Sequence, residues 1–262
     1  MADVAGPALS TLRFAKKSAF ITGGAVGLGR AFAKALTAQG AGVVIAEIDT
    51  EGAQRTAAEL ISGGAQAIAV PCDVADEHQV DAAVAAAIEK FGGIDILINN
   101  AGRHLMKYNQ PFGALSRDDL RGLFDVNMMG VINCTLACRD SMRERGGGVV
   151  LNMSSTAGFS SGTPYGVSKL AVRGLTVAFA SELSPDLIRV NAIAPGLTNT
   201  ESALADVPRA LVDGYVHELQ LVHRICTMDD VVSAMLYLCS DEASFITGET
   251  LKVCGGYPLT IG

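Results

Sequence analysis

No block of lysine and arginine interrupts this chain, and only 18% of its 262 residues are charged. The net charge is −7 and the sequence pI is near 5.1. A nucleic acid or an anionic membrane surface is therefore not expected as a partner. Long apolar runs are missing as well. Runs such as VVLNM and AGVVIA are far too short to span a bilayer. The first twenty residues, MADVAGPALSTLRFAKKSAF, lack the basic-then-apolar order of a signal peptide. A cytoplasmic protein is expected. The six cysteines (Cys72, Cys134, Cys138, Cys226, Cys239 and Cys254) form no CxxC and pair with no histidine at zinc spacing, so no metal is expected. Cys134 and Cys138 share a helix face and read as two buried thiols, not as a bridge. Linkers, repeats and low-complexity segments are absent too.

What is present is apolar content, 49% of the chain, and alternation. Short β-branched runs recur at Ser18–Thr22, Gly42–Ala46, Ala67–Pro71, Ile94–Asn99, Val149–Met153, Ile188–Ile193 and Thr250–Val253. Stretches of helical period lie between them, among them RAFAKALTAQG, AAVAAAIEKFG and MDDVVSAMLYLCS. Strands that are apolar throughout are buried on both faces, which implies a parallel sheet. Alternation with helices implies a doubly wound α/β fold of seven strands, mostly parallel, with helices on both faces. The expected organisation is an N-terminal arm over residues 1–16 and one dinucleotide-binding catalytic domain over 17–262. Residues 197–225 form an irregular, apolar flap.

The first strand runs into TGGAVGLG, with Gly23, Gly27 and Gly29 between strand and helix. Glycine admits positive φ and close approach of a ligand, and bare amides at a helix N-terminus suit a phosphate. The same pattern also serves as a helix-packing loop. Glu47 ends the second strand about twenty residues later, where a dinucleotide fold places an acid for the adenosine ribose hydroxyls. A carboxylate there repels a 2′-phosphate, and GGAVGLG contains no lysine or arginine to attract one. NAD is expected over NADP. Leu28 in the turn and Ile48 after the acid are included in the cofactor set.

In order along the chain stand TGGAVGLG (22–29), CDV (72–74), NNAG (99–102), the asparagine of FDVN (124–127), NMSS (152–155), YGVSK (165–169) and NAIAPG (191–196). Together they resemble the short-chain dehydrogenase/reductase family, from about Lys17 to Gly256. The resemblance implies that Tyr165 is a general acid/base and that Lys169, one helical turn on, assists it and binds the nicotinamide ribose. A free phenol has a pKa of about 10, and bringing it near 7 takes roughly 4 kcal/mol. A neighbouring ammonium supplies part of this because opposite charge favours phenolate. The i, i+4 spacing puts both groups on one helix face.

By the same resemblance Ser155 hydrogen-bonds the substrate oxygen, and Asn127 kinks its helix and holds a water that links the lysine to solvent. Asp73 and Val74 contact adenine. Asn100, Ala101 and Gly102 form the turn beneath the cofactor, with Asn99 bracing the sheet. Pro195, Gly196, Thr198 and Thr200 clasp the carboxamide. One departure stands out. About twelve residues usually separate the serine from the tyrosine, whereas Thr156 to Pro164 gives nine.

The flap, with Leu204, Val207, Leu211, Tyr215 and Leu219, and the stretch after NNAG, with His104, Leu105, Met106 and Tyr108, suit a mostly apolar alcohol or ketone. They suit core packing or a subunit interface equally. The resemblance implies a homotetramer, with contacts around residues 118–145 and 164–183. Competing readings are an NADP-linked carbonyl reductase and a dinucleotide-binding sensor or scaffold without turnover.

Overall fold

The computed structural model describes residues 12–104, 106–201, 205 and 207–260. Its seven strands form one sheet in the order β3-β2-β1-β4-β5-β6-β7. These are β1 Ser18–Thr22, β2 Gly42–Glu47, β3 Ala67–Pro71, β4 Ile96–Asn99, β5 Gly148–Met153, β6 Ile188–Pro195 and β7 Thr250–Val253. Every neighbouring pair is parallel, with registers such as Phe20 beside Val44 and Ile98 beside Leu151. The expected runs begin or end within two residues of the observed strands.

The period of two along each strand divides the core between the two faces. Ile21, Ile45, Ile98 and Leu151 belong to one apolar cluster, with helices α1 (Gly27–Ala38) and α2 (Thr50–Ser62). Phe20, Val44, Leu97 and Val150 belong to the other, with α3 (Glu77–Phe91). Helix α1 buries Gly29, Phe32, Ala33 and Leu36, and α3 buries Val80, Ala83, Val84 and Ala87. Both sets follow the i, i+3, i+4, i+7 spacing of a helix with one apolar stripe.

Helix α4 (Arg117–Phe124) passes through a π-turn at Asp125–Met129 into α5 (Gly130–Glu144). After β5 come the short α6 (Ala157–Ser160) and the long α7 (Pro164–Glu182). The segment before β7 holds α8 (Arg209–Gly214), a second π-turn at Tyr215–Leu219 and α9 (Met228–Cys239). Strand order reverses between β1 and β4, each of which continues from one side of the sheet's midline. In doubly wound sheets a crevice opens at that point, beyond the carboxyl ends of the strands.

Of the arm expected over 1–16, residues 12–16 pack onto the body. Phe14 is buried, its amide donates to Gln39 O at 2.9 Å, and Arg13 pairs with Glu242 at 2.6 Å. Residues 1–11, and the flap and loop positions Leu105 and Leu204, lie outside the described residues. All six cysteines are free and buried. Among the described residues no helix is long and apolar enough to cross a membrane.

Candidate active site

A cavity of about 1050 Å³ opens over the carboxyl ends of the strands. It is lined by all of the sequence-derived site residues except two, Gly29 and Asn127. Gly29 lies underneath the glycine turn: a Cβ there would stand 2.1 Å from Gly23 O. It lets helix α1 close against the turn and does not itself line the cavity. Gly27, by contrast, has φ +55°, and a Cβ on it would meet only the Thr200 methyl, at 3.9 Å.

Helix α1, like α5, α6 and α8, has no side-chain cap, whereas side chains cap α2 (Asp49), α3 (Asp76), α4 (Ser116), α7 (Thr163) and α9 (Thr227). Its first-turn amides face the cavity without a side-chain acceptor, as an anion site requires. Glu47 is fixed at the end of β2. Its carboxylate accepts from the amides of Ile48 (2.9 Å), Ala25 (3.2 Å) and Asp49 (3.3 Å). The cations of α1 are engaged elsewhere: Arg30 and Lys34 both pair with Glu59, the latter at 2.6 Å, while Arg55 of α2 lies against Asp49 and Glu51. Asp73 accepts from the Ala75 amide at 3.0 Å, and Val74 is buried, its carbonyl accepting from Asn133 Nδ2.

Under the middle of the cavity the NNAG turn is tied to β1. The Thr22 hydroxyl accepts from the amides of Asn100 and Ala101, both at 3.0 Å. Asn100 Nδ2 donates back to Thr22 O and Gly23 O. Asn99 instead braces the sheet, donating to Asn152 Oδ1 at 2.9 Å and to Thr135 Oγ1.

Helix α7 starts with Pro164 at its first position and with Thr163 Oγ1 accepting from the Gly166 amide, a start signal legible in TPYG. Tyr165 and Lys169 then lie on its cavity side. Lys169 is 6% exposed, and its Nζ donates to Met153 O at 2.8 Å and lies 5.9 Å from the Tyr165 ring centroid. Burial pulls the Lys169 ammonium down from 10.5 to about 8. Burial raises Tyr165, while a hydrogen bond with Ser155 opposes that rise. Ser155 also accepts from the Ala157 amide. The other serine of NMSS, Ser154, points away and donates to Lys169 O at 2.9 Å.

Asn127 sits in the π-turn, 1% exposed. Its Oδ1 accepts from Arg103 N at 2.7 Å, and its Nδ2 donates to Arg103 O and Ser168 Oγ. Ser168 donates in turn to Tyr165 O. Asn127 thus locks the chain after Gly102 to the tyrosine helix from behind the cavity wall. A Cβ on Gly102 would lie 3.3 Å from Asn127 Oδ1 and 3.4 Å from Lys169 Nζ, so both polar groups face one small space.

The short Ser155–Tyr165 connection closes through two glycines. A Cβ on Gly158 would stand 2.8 Å from the Lys169 carbonyl carbon, and one on Gly166 would stand 2.3 Å from Ser161 O. Arg173 secures the loop, donating to Gly158 O and stacking 3.5 Å from the Phe159 ring centroid.

From the flap, Val207, Leu211, Tyr215 and Leu219 reach the cavity, as do His104 and Met106 from the stretch after NNAG. Tyr108 does not. It is buried in a 3₁₀ turn, where its hydroxyl accepts from Arg103. Thr22, Ser168 and Thr156 take part without having been singled out from the sequence. The first two lie inside quoted motifs, so only their role was hidden.

The family model described as enoyl-(acyl carrier protein) reductase matches residues 23–258. A protein of Mycobacterium tuberculosis named as an uncharacterized oxidoreductase is 42% identical over 93% of this chain and 98% of its own length. A 3alpha-hydroxysteroid dehydrogenase of Mediterraneibacter gnavus is 37% identical over 91% of this chain and 96% of its own. The solved structure of a 7 alpha-hydroxysteroid dehydrogenase complexed with NADH and 7-oxo glycochenodeoxycholic acid is 32% identical and superposes with a TM-score of 0.88. It covers 94% of this chain and 96% of that one. With its ordered motifs, its parallel sheet and these relatives, the chain belongs to the short-chain dehydrogenase/reductase family of NAD(P)-dependent oxidoreductases.

Proposed function

We propose that this oxidoreductase is an NAD-linked dehydrogenase of a mostly apolar secondary alcohol, acting through Tyr165 as general base and acid. The observation that carries the reading is the meeting of Ser155, Tyr165 and Lys169 at one end of a cavity whose other end holds Glu47. The residues present fit a dinucleotide. The uncapped start of α1 and the open space over Gly27 suit its diphosphate. The fixed Glu47 carboxylate suits the adenosine ribose hydroxyls and opposes a 2′-phosphate, and the pairing of Arg30 and Lys34 with Glu59 leaves neither to neutralise one. Asp73 and Val74 suit adenine, and Pro195, Gly196, Thr198 and Thr200 suit the carboxamide.

A bound oxidised nicotinamide would supply a hydride acceptor and a positive charge that favours phenolate. Ser155 Oγ holds the substrate oxygen in line with Tyr165 Oη, which takes the hydroxyl proton. In this structure burial raises Tyr165, so the chain's own lever is Lys169, whose ammonium sits beside the ring and keeps most of its proton below about pH 8. In the oxidative direction Tyr165 must then shed the proton it has taken, and Lys169 in its neutral amine form can accept it. Asn127 Oδ1, facing the same space, offers a lone pair to a water that would join Lys169 Nζ to solvent. An NAD-linked enzyme favours the oxidative direction, because the cellular NAD pool is mostly oxidised.

The apolar side chains of the flap and the hydroxysteroid dehydrogenases among the relatives support an apolar, ring-bearing substrate. Exposed Leu136 on α5 and Leu170 and Val177 on α7 support burial of these helices in a homotetramer. The six free thiols suit the reducing cytoplasm. Tyr165→Phe tests the reading. Turnover of secondary alcohols with NAD, followed by absorbance of the reduced cofactor, should vanish while NAD binding stays within about twofold. Retained turnover would refute the role of Tyr165.

A further inference from the structure

Beside the Ser155–Tyr165 pair the cavity holds a second pair of hydroxyls. Thr156 Oγ1 and Tyr215 Oη lie 3.3 Å apart, and both residues line the cavity. The flap otherwise contributes mostly apolar groups to the same wall, among them Val207, Ala210, Leu211 and Leu219. Two hydroxyls that share one hydrogen bond retain an unused O–H and spare lone pairs. Burial pushes Tyr215 above the ordinary phenol range, with Thr156 pulling against it, so its proton is in place at neutral pH.

The surrounding chain fixes this tyrosine closely. Tyr215 opens the π-turn that follows α8, an irregularity that concentrates at functional positions. The Gln220 amide closes the turn onto Tyr215 O at 3.1 Å. Buried Gln220 then donates through Nε2 to Val222 O and Arg224 O. Gly255 O accepts from the amides of Leu221 and Val222, at 2.8 and 3.0 Å. Gly255 has φ +59°, and a Cβ there would stand 2.9 Å from Gln220 Nε2. This clamp brings the Tyr257 ring edge-on to Tyr215, with centroids 5.4 Å apart at 87°. Flap and C-terminal loop together hold the phenol against the residue that follows Ser155.

We propose that Tyr215, with Thr156, determines specificity by binding a second oxygen of the substrate, so that preferred substrates are secondary alcohols or ketones bearing a further hydroxyl or carbonyl. This rests on the dehydrogenase reading of the same site. A pocket built to hydrogen-bond a substrate hydroxyl discriminates strongly against the analogue that lacks it, because its own polar groups are then left unpaired.

Binding tests the idea without turnover. In a Tyr165→Phe background saturated with NAD, calorimetry would compare 2-decalol with decalin diols carrying the second hydroxyl one, two or three carbons away. One diol should bind about tenfold or more tightly than 2-decalol, a difference of the size one such hydrogen bond provides. Tyr215→Phe keeps the ring contact with Tyr257 and Thr156→Val keeps the side-chain shape. Each should bring the ratio to about one with 2-decalol unaffected. If Tyr215→Phe fails to fold, Thr156→Val decides alone. The proposal is overturned if no diol is preferred, if none binds, if the preference survives, or if both alcohols weaken equally. The dehydrogenase reading fails by a different sign: Tyr165→Phe, tested by itself, would retain turnover.

Discussion

Replacing Lys169 by methionine should stabilise the folded protein at pH 7 in the absence of cofactor, although it removes a group assigned to the chemistry. Lys169 is 6% exposed and its pKa falls from 10.5 to about 8 through burial. A fall of about 2.5 units corresponds to roughly 3 kcal/mol against the charged form. The unfolded chain binds the proton more tightly, so this penalty is fully present below pH 8 and fades as pH rises toward 10.5. The linkage gives roughly 3 kcal/mol at pH 7, roughly 2 at pH 9 and under about 1 at pH 10. Methionine keeps most of the aliphatic stem but loses the bond to Met153 O, which returns about 1 kcal/mol. The net gain is therefore about 2 kcal/mol at pH 7 and near zero at pH 10. Burial raises Tyr165 above the usual phenol value and removing Lys169 would raise it further, so it keeps its proton in both folded proteins over most of this range and largely cancels from the difference. The assay is denaturant unfolding of wild type and Lys169→Met at fixed protein concentration between pH 7 and 10, with no nucleotide. A difference that stays constant with pH would refute the buried-ammonium argument, as would a wild type more stable than the variant at pH 7.

Two further perturbations address other parts of the cavity. Glu47→Gln keeps the size of the side chain and removes its charge, so NAD affinity should fall by about tenfold while NADP affinity holds or rises, read by titrating each nucleotide against melting temperature. Unchanged NAD affinity would refute the ribose contact. Gly158→Ala puts a Cβ 2.8 Å from the α7 backbone at Lys169, where no flexible side chain can yield. It should cost about 1–3 kcal/mol in unfolding free energy and lower kcat together. A stable, fully active variant would show that the short loop tolerates displacement.

The sheet was legible because its signal is local and redundant. Each strand is a run of β-branched residues that needs apolar neighbours on both faces, and runs such as Gly42–Glu47 admit no other packing in a chain with so little charge. The glycine turn and the Tyr165–Lys169 spacing were legible for the same reason: one backbone element carries both groups. Helix ends were readable where a side chain caps them, as at Thr163–Pro164. The strand residues missed, Glu47, Gly148, Ala194 and Pro195, lie at ends where charge, glycine or proline depresses the pattern without breaking the ladder.

What stayed hidden depends on contacts between segments distant in sequence. Only the resemblance announces an irregularity in DVNMM, as a kink at Asn127; its form, a π-turn, goes with Asn127 bonding Arg103 and Ser168, 24 and 41 positions away. The interval of nine residues between Ser155 and Tyr165 reads only as a departure in spacing, and the structure makes the shortening possible with Gly158 and Gly166, whose absent side chains let α6 lie on the α7 backbone. Thr156 itself is held where Tyr215 meets it by its own backbone, whose amide donates to Pro195 O on β6 at 3.0 Å. Inserting three residues between Gly158 and Pro164 should therefore leave the effect of Tyr215→Phe on diol preference in place, since Thr156 is anchored to the sheet ahead of the insertion; loss of that effect would show that the loop, not β6, positions the hydroxyl pair.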